Sequence, residues 1–181
     1  MSQVIKDRRF VAGALVALAA VAACVAPDAS TEGAGGPDEA VEQGRALAPS
    51  TTFGTVEGGT ASISDLRGSV LIVNFWGTWC VPCRREIPEL VELHEAYADR
   101  DVEIVGIAVD SGEAEDIRLF ADRYGVQYRL WITDMATALE DFQAVGYPFT
   151  LVIDQEGRIV NTFYGPQTIE SLSAEIDALL Q

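Results

Sequence analysis

Two rhythms of apolar residues run through this chain. "SVLIVNFW" (69–76) and "VEIVGIAVD" (102–110) are nearly continuous apolar runs, the pattern of strands buried on both faces of a sheet. Elsewhere the spacing lengthens to that of a helix. From Cys80 to about Asp99, Ile87, Leu90, Val91 and His94 fall on one side, while Glu and Arg cover much of the rest. "EAEDIRLFADRYG" (113–125) predicts an amphipathic helix stopped by Gly125. "DMATALEDFQAVG" (134–146) predicts another, capped by Asp134 and ended by Gly146, with the strand "YRLWIT" (128–133) between them. "PFTLVID", the turn "QEG" and "RIVNTFYG" (148–165) form an antiparallel hairpin, and "TIESLSAEIDALL" (168–180) a closing helix. Thr168 is its expected N-cap, and Glu170 complements the positive end of its dipole. Upstream, "TTFGTVEGGTASISDL" (51–66) alternates around Glu57-Gly58-Gly59, a short hairpin. After that hairpin the order β-α-β-α-β-α-β-β-α predicts an α/β domain over residues 51–181, with a mixed central sheet flanked by helices.

Residues 1–50 share neither rhythm. Lys6, Arg8 and Arg9 precede the apolar run "FVAGALVALAAVAA" (10–23), which is shorter than the roughly 20 residues that span a bilayer but suits a secretory signal. The run ends in "VAAC", which resembles the lipobox of bacterial lipoproteins. The resemblance implies cleavage after residue 23 and a lipid thioether on Cys24; an ordinary signal peptide with a chance cysteine is the alternative. Residues 24–50 are rich in Gly, Ala, Pro, Ser, Thr and acids, too poor in apolar surface to offset the entropy of ordering. They read as a flexible tether between membrane and domain. A net charge of −16 leaves no basic footprint for nucleic acid, so no nucleic-acid partner is expected.

With Cys24 assigned to lipid, Cys80 and Cys83 are the remaining thiols, and in an oxidising compartment two such thiols are expected to pair. They sit where the apolar run 69–76 gives way to a helix. A thiol at a helix N-terminus faces unpaired N–H groups and the positive end of the dipole, which favour the thiolate, so Cys80 is the expected nucleophile. Cys83 lies about one turn on, placed to resolve a mixed disulfide. Pro82 costs little in a first turn, where its missing N–H has no partner anyway. A static disulfide is the structural alternative. A zinc site would need four ligands, and beside this pair the chain offers a single histidine, His94, read as a packing or rim residue; no metal is expected.

"FWGTWCVPC", Glu86, Pro88 and "GYPFT" (146–150) together resemble the thioredoxin-fold thiol:disulfide oxidoreductases of the membrane-attached reductive branch, the TlpA/ResA type that serves cytochrome c maturation. The resemblance covers roughly residues 51–181. It implies a thioredoxin-like fold and a redox-active Cys80–Cys83 disulfide in place of any separate cofactor. It implies protein disulfides as substrates, apocytochrome c among them, and a membrane thiol transporter as electron donor, with the protein outside the cytoplasm on its lipid anchor. Pro148 resembles the family's cis-proline, which implies that the loop packs beside the cysteines and that the Tyr147 backbone pairs with substrate. Tyr147 is bulkier than the residue often found there. Trp79 is expected to form an apolar platform for partner chains, and Trp76 to be a core or rim residue. Thioredoxin has a buried Asp where this chain has Asn74, and an amide cannot take a proton from Cys83. In the reductive branch that role passes to a Glu three residues after the second cysteine, here Glu86. Glu86 shares a helix face with Cys83, and burial would raise its pKa towards neutrality. The alternatives are a solvated Glu86, a thiol peroxidase of peroxiredoxin-like type and a non-catalytic adaptor. The peroxidase motif "PxxxTxxC" is not met, since Gly77 and Val73 hold its Thr and Pro positions.

Overall fold

A computed structural model of the chain describes residues 45–181. Its central strand, β3 (Val70–Trp76), is paired with parallel β4 (Val102–Val109) along one edge and antiparallel β6 (Phe149–Ile153) along the other, and is buried at all seven positions because apolar side chains pack on both of its faces. The full sheet adds β1 (Thr52–Thr55), β2 (Thr60–Ser62), β5 (Arg129–Thr133) and β7 (Ile159–Tyr164), in the order β2-β1-β5-β4-β3-β6-β7. β4 and β5 are parallel; the pairs β1/β2, β1/β5 and β6/β7 are antiparallel. Four helices cover the sheet: α1 (Val81–Ala96), α2 (Ala114–Tyr124), α3 (Met135–Phe142) and α4 (Ile169–Leu179). This is the α/β arrangement the patterning predicts, with its N-terminal hairpin.

Alternation along β3 divides the core. Val70, Ile72 and Trp76 join one cluster with Ile87 and Leu90 of α1, Ile117 of α2 and Leu172 and Ile176 of α4. Leu71, Val73 and Phe75 join the other, with Phe53, Trp131, Phe142 of α3 and Phe149. Asn74 has the parity of Ile72 and Trp76, so the strand's single polar side chain faces α1.

Three details differ from the patterning. The buried stripe of α1 is Cys83, Glu86, Ile87, Leu90 and Leu93, whereas Val91 and His94 are half-buried at its margin. Relative to the predicted stripe the helix is rotated about its axis, so that Glu86 and Leu93 face inward. α3 stops at Phe142, short of Gly146: Gln143 takes the left-handed conformation (φ 57°) and the Ala144 N–H donates to the Ala138 carbonyl. The early stop places Ala144 in the core and frees residues 145–148 to reach the sheet's end. Finally, residues 46–48, assigned to the tether, lie against the start of β7. The Ile159 N–H donates to the Ala46 carbonyl and the Ala48 N–H to the Gly157 carbonyl, both at 2.9 Å. The leader, Cys24 and the tether up to residue 44 lie outside the described residues.

Candidate active site

Chain direction puts the cysteines at the C-terminal end of β3. After Trp76 the backbone turns through Gly77-Thr78-Trp79, and Cys80 becomes the N-cap of α1, its extended backbone (φ −85°, ψ 106°) joining strand to helix. The Cys80 sulfur is bonded to the Cys83 sulfur and also accepts the Cys83 N–H at 3.2 Å. One of the helix's unpaired amides therefore points at the Cys80 sulfur, a position in which it would favour a thiolate. The residues Cys80 and Cys83 are 4% and 1% exposed, so a partner must reach the sulfurs through the rim around them.

Trp79 forms that rim. Its ring lies over Gly77, where an added Cβ would fall 2.6 Å from the indole; a larger residue at 77 would displace the ring. The indole Nε1 donates to the Val109 carbonyl at 3.1 Å, and the ring meets Tyr147 edge-on, with centroids 5.7 Å apart. Nearly half of Trp79 remains exposed, as do Val81 and Val145. Tyr147 precedes a cis peptide bond to Pro148. The Phe75–Phe149 register puts Pro148 beyond β6 at the same end of the sheet as Trp76 and the cysteine turn. The Pro148 carbonyl accepts the Gly165 N–H at 2.9 Å, while no backbone hydrogen bond engages Tyr147 among the described residues. The Tyr147 hydroxyl is buried without a hydrogen-bond partner, and its pKa is raised by that burial and by nearby Asp110. Trp76 by contrast is core, packed on Phe120 with centroids 5.0 Å apart.

Behind the sulfurs lies a polar inlay. Glu86 is 1% exposed, with Oε2 accepting from Asn74 Nδ2 (3.0 Å) and Oε1 from the Gln167 backbone N–H (2.8 Å). Burial pushes its pKa up to about 7 against the pull of those two donors, which favour the carboxylate; Glu89 adds to the rise. Tyr128 is buried nearby, and burial together with the Glu86 charge raises its pKa. His94 packs edge-on against Tyr128, centroids 6.3 Å apart, the packing role read from the sequence. Glu86 thus stands as a buried acid that titrates near neutrality, one turn from Cys83 in the same stripe, and not as a solvated first-turn Glu.

Two supports escaped the sequence. Ser111, in the β4–α2 connection, accepts the Thr78 N–H (3.1 Å) and donates to the Val109 carbonyl (3.0 Å), bracing the turn that carries Cys80. Gln167 acts through its backbone, which no side-chain pattern reveals.

The model of the AhpC/TSA family matches residues 45–162, most of the described domain. The chain belongs to this family. Among curated relatives, it is 32% identical over 132 residues to the thioredoxin-like protein YneN of Bacillus subtilis (strain 168), covering 72% of this chain and 76% of that one. It is also 32% identical over 133 residues to the thiol-disulfide oxidoreductase ResA of Geobacillus thermodenitrificans (strain NG80-2), covering 73% and 75%. Among solved structures, a thiol:disulfide interchange protein of the thioredoxin family from Chlorobium tepidum TLS superposes with a TM-score of 0.66 at 29% identity, covering 76% of this chain and 97% of that one. The fold is thioredoxin-like, and this AhpC/TSA-family chain is an enzyme, a thiol–disulfide oxidoreductase.

Proposed function

We propose that this oxidoreductase works as a reductant of protein disulfides outside the cytoplasm, with Cys80 attacking and Cys83 resolving. The Cys80 thiolate attacks one sulfur of a substrate disulfide, forming a mixed disulfide and releasing the other substrate sulfur as a thiolate. The Cys83 thiol then gives its proton to the Glu86 carboxylate and attacks the Cys80 sulfur. The Cys80–Cys83 disulfide forms, the second substrate sulfur departs and takes up a proton, and two electrons have passed to the substrate. The buried Glu86 behind the cysteine pair carries this reading, because resolution needs a base matched to neutral pH in a place that water does not reach.

The Trp79, Val81 and Val145 side chains offer an apolar rim for a partner, and the unengaged Tyr147 backbone offers it a short β-pairing. Haem-binding C-x-x-C-H segments of apocytochrome c are substrates of the right kind, and a membrane thiol transporter returns electrons to the pair. The basic and apolar leader with "VAAC" supports attachment through a lipid on Cys24. Among the described residues no helix is long and apolar enough to cross a membrane.

The deciding experiment is the reduction potential of the pair, followed by tryptophan fluorescence across a thiol–disulfide buffer series. A value near or below about −250 mV makes the reduced protein a competent reductant; one near about −120 mV describes an oxidant and removes the proposal. Steady consumption of hydrogen peroxide with a thiol donor would point instead to a peroxidase.

A further inference from the structure

Asn74 on β3 and Thr150 on β6 face each other across the antiparallel pair, and Asn74 and Glu86 face each other between sheet and helix. Asn74 Nδ2 donates to Thr150 Oγ1 at 2.9 Å as well as to Glu86 Oε2 at 3.0 Å. The two hydrogens of an amide nitrogen lie in one plane at a fixed angle. Engaging one of them with Thr150 therefore sets the amide plane and aims the other at Glu86. Asn74 and Glu86 are each 1% exposed and Thr150 is fully buried. Packing alone does not explain a hydroxyl here: Val has the same shape and suits a buried strand better.

We propose that Thr150 is a positioning residue for the Glu86 carboxylate, acting through Asn74. Thr150 lies two residues after Pro148, so the loop that receives substrate and the acid behind Cys83 are held by one short piece of β6. The proposal rests on the reading that Glu86 exchanges a proton with Cys83, but its first test does not. The other groups acting on Glu86 are Glu89 on its own helix, Tyr128 ahead of β5 and the Gln167 amide ahead of α4; Cys83 is buried in the same helix stripe one turn back. Misaiming the Asn74 donor weakens an interaction that favours the carboxylate, so the Glu86 midpoint moves upward.

The test is a carboxyl ¹³C titration of Glu86 in the oxidised full-length protein. Thr150→Val should raise the midpoint by about half a unit or more, a fraction of the roughly one to two units that a whole hydrogen bond to a charged group is worth, because the Asn74 donor is misaimed and not removed. Thr150→Ser, which keeps the hydroxyl, should restore it. The pH profile of the resolution step, read by stopped flow on the reduced protein, should shift by the same amount. If Thr150→Val does not fold, Thr150→Ala takes its place. A Glu86 midpoint unmoved in the variant that folds overturns the positioning role, whatever happens to stability. If the midpoint moves but Glu86→Gln leaves the resolution profile unchanged, Thr150 does position Glu86 and it is the proton-exchange reading that falls.

Discussion

The two faces of β3 are made by one apolar run and behave as different materials. Leu71, Val73 and Phe75 look into a dry cluster where Phe75 meets Phe142 and Phe149 at centroid distances of 4.9 and 5.7 Å and Phe53 stacks on Trp131 at 5.4 Å. Val70, Ile72, Asn74 and Trp76 look towards α1, where the Asn74 amide, the Glu86 carboxylate and the Thr150 hydroxyl are hydrogen-bonded together within a largely apolar cluster. The dry face offers cohesion that is insensitive to pH. The inlaid face keeps a charge out of water near neutrality, a cost that a purely structural core avoids.

The largest effect that separates the faces concerns the sulfurs. Cys80→Ser should abolish reduction of a protein disulfide, whereas Cys83→Ser should accumulate a covalent complex with it. Intact-mass analysis under non-reducing conditions detects that complex, and its absence would sink the assignment of attacking and resolving roles. Next comes the dry face. Phe75→Ala should lower unfolding free energy by about 3–5 kcal/mol while leaving the reduction potential of the folded protein close to that of the parent. A large potential shift would mean that the two faces are not independent.

The smallest of these effects is the pH signature of the inlay. Glu86 holds its proton in the folded protein to about pH 7, against a reference value of 4.5. Between those values the folded state binds more protons than the unfolded one, so stability from Glu86 is full at the acid end and is lost as pH rises through the window. The loss amounts to roughly 3 kcal/mol. Glu86→Gln does not titrate, so the stability of the wild type relative to this variant should fall across that window in urea unfolding of the oxidised proteins. Parallel pH dependences would show that Glu86 is not a buried acid.

The division between faces also marks what the sequence could reveal. The run 69–76 announces a central strand because both faces are apolar enough to read as one signal. "WCVPC" announces its chemistry because a thiol pair at a strand-to-helix junction has few other uses. Glu86 was legible as a candidate through its spacing from Cys83, but its burial depended on the rotation of α1, and helical periodicity alone placed Val91 and His94 inside at the expense of Leu93. Gly146 looked like the stop of α3, yet Gln143 takes the left-handed turn because Ala144 is needed in the core. Ser111 carried no signal, and Thr150 entered only as the last residue of "GYPFT", with no role of its own. A threonine in a strand and a serine after one are ordinary, and only strand register gives the first its partner, only the crossing of two loops the second.

The brace at Ser111 sets a rule for how this chain can change over time. Surface connections are ordinarily where length variation is absorbed, since few contacts depend on them. The β4–α2 connection is short and at the surface, yet its serine holds the Thr78 amide and the strand end beside it receives the Trp79 indole. Adding or removing a residue there would carry the cysteine turn with it. Lengthening is better tolerated at the Gly58-Gly59 tip of the N-terminal hairpin, where a side chain added to either glycine would meet open space and the hydrogen bonds stay within the turn. An indel between residues 110 and 113 is in effect a mutation of the active site.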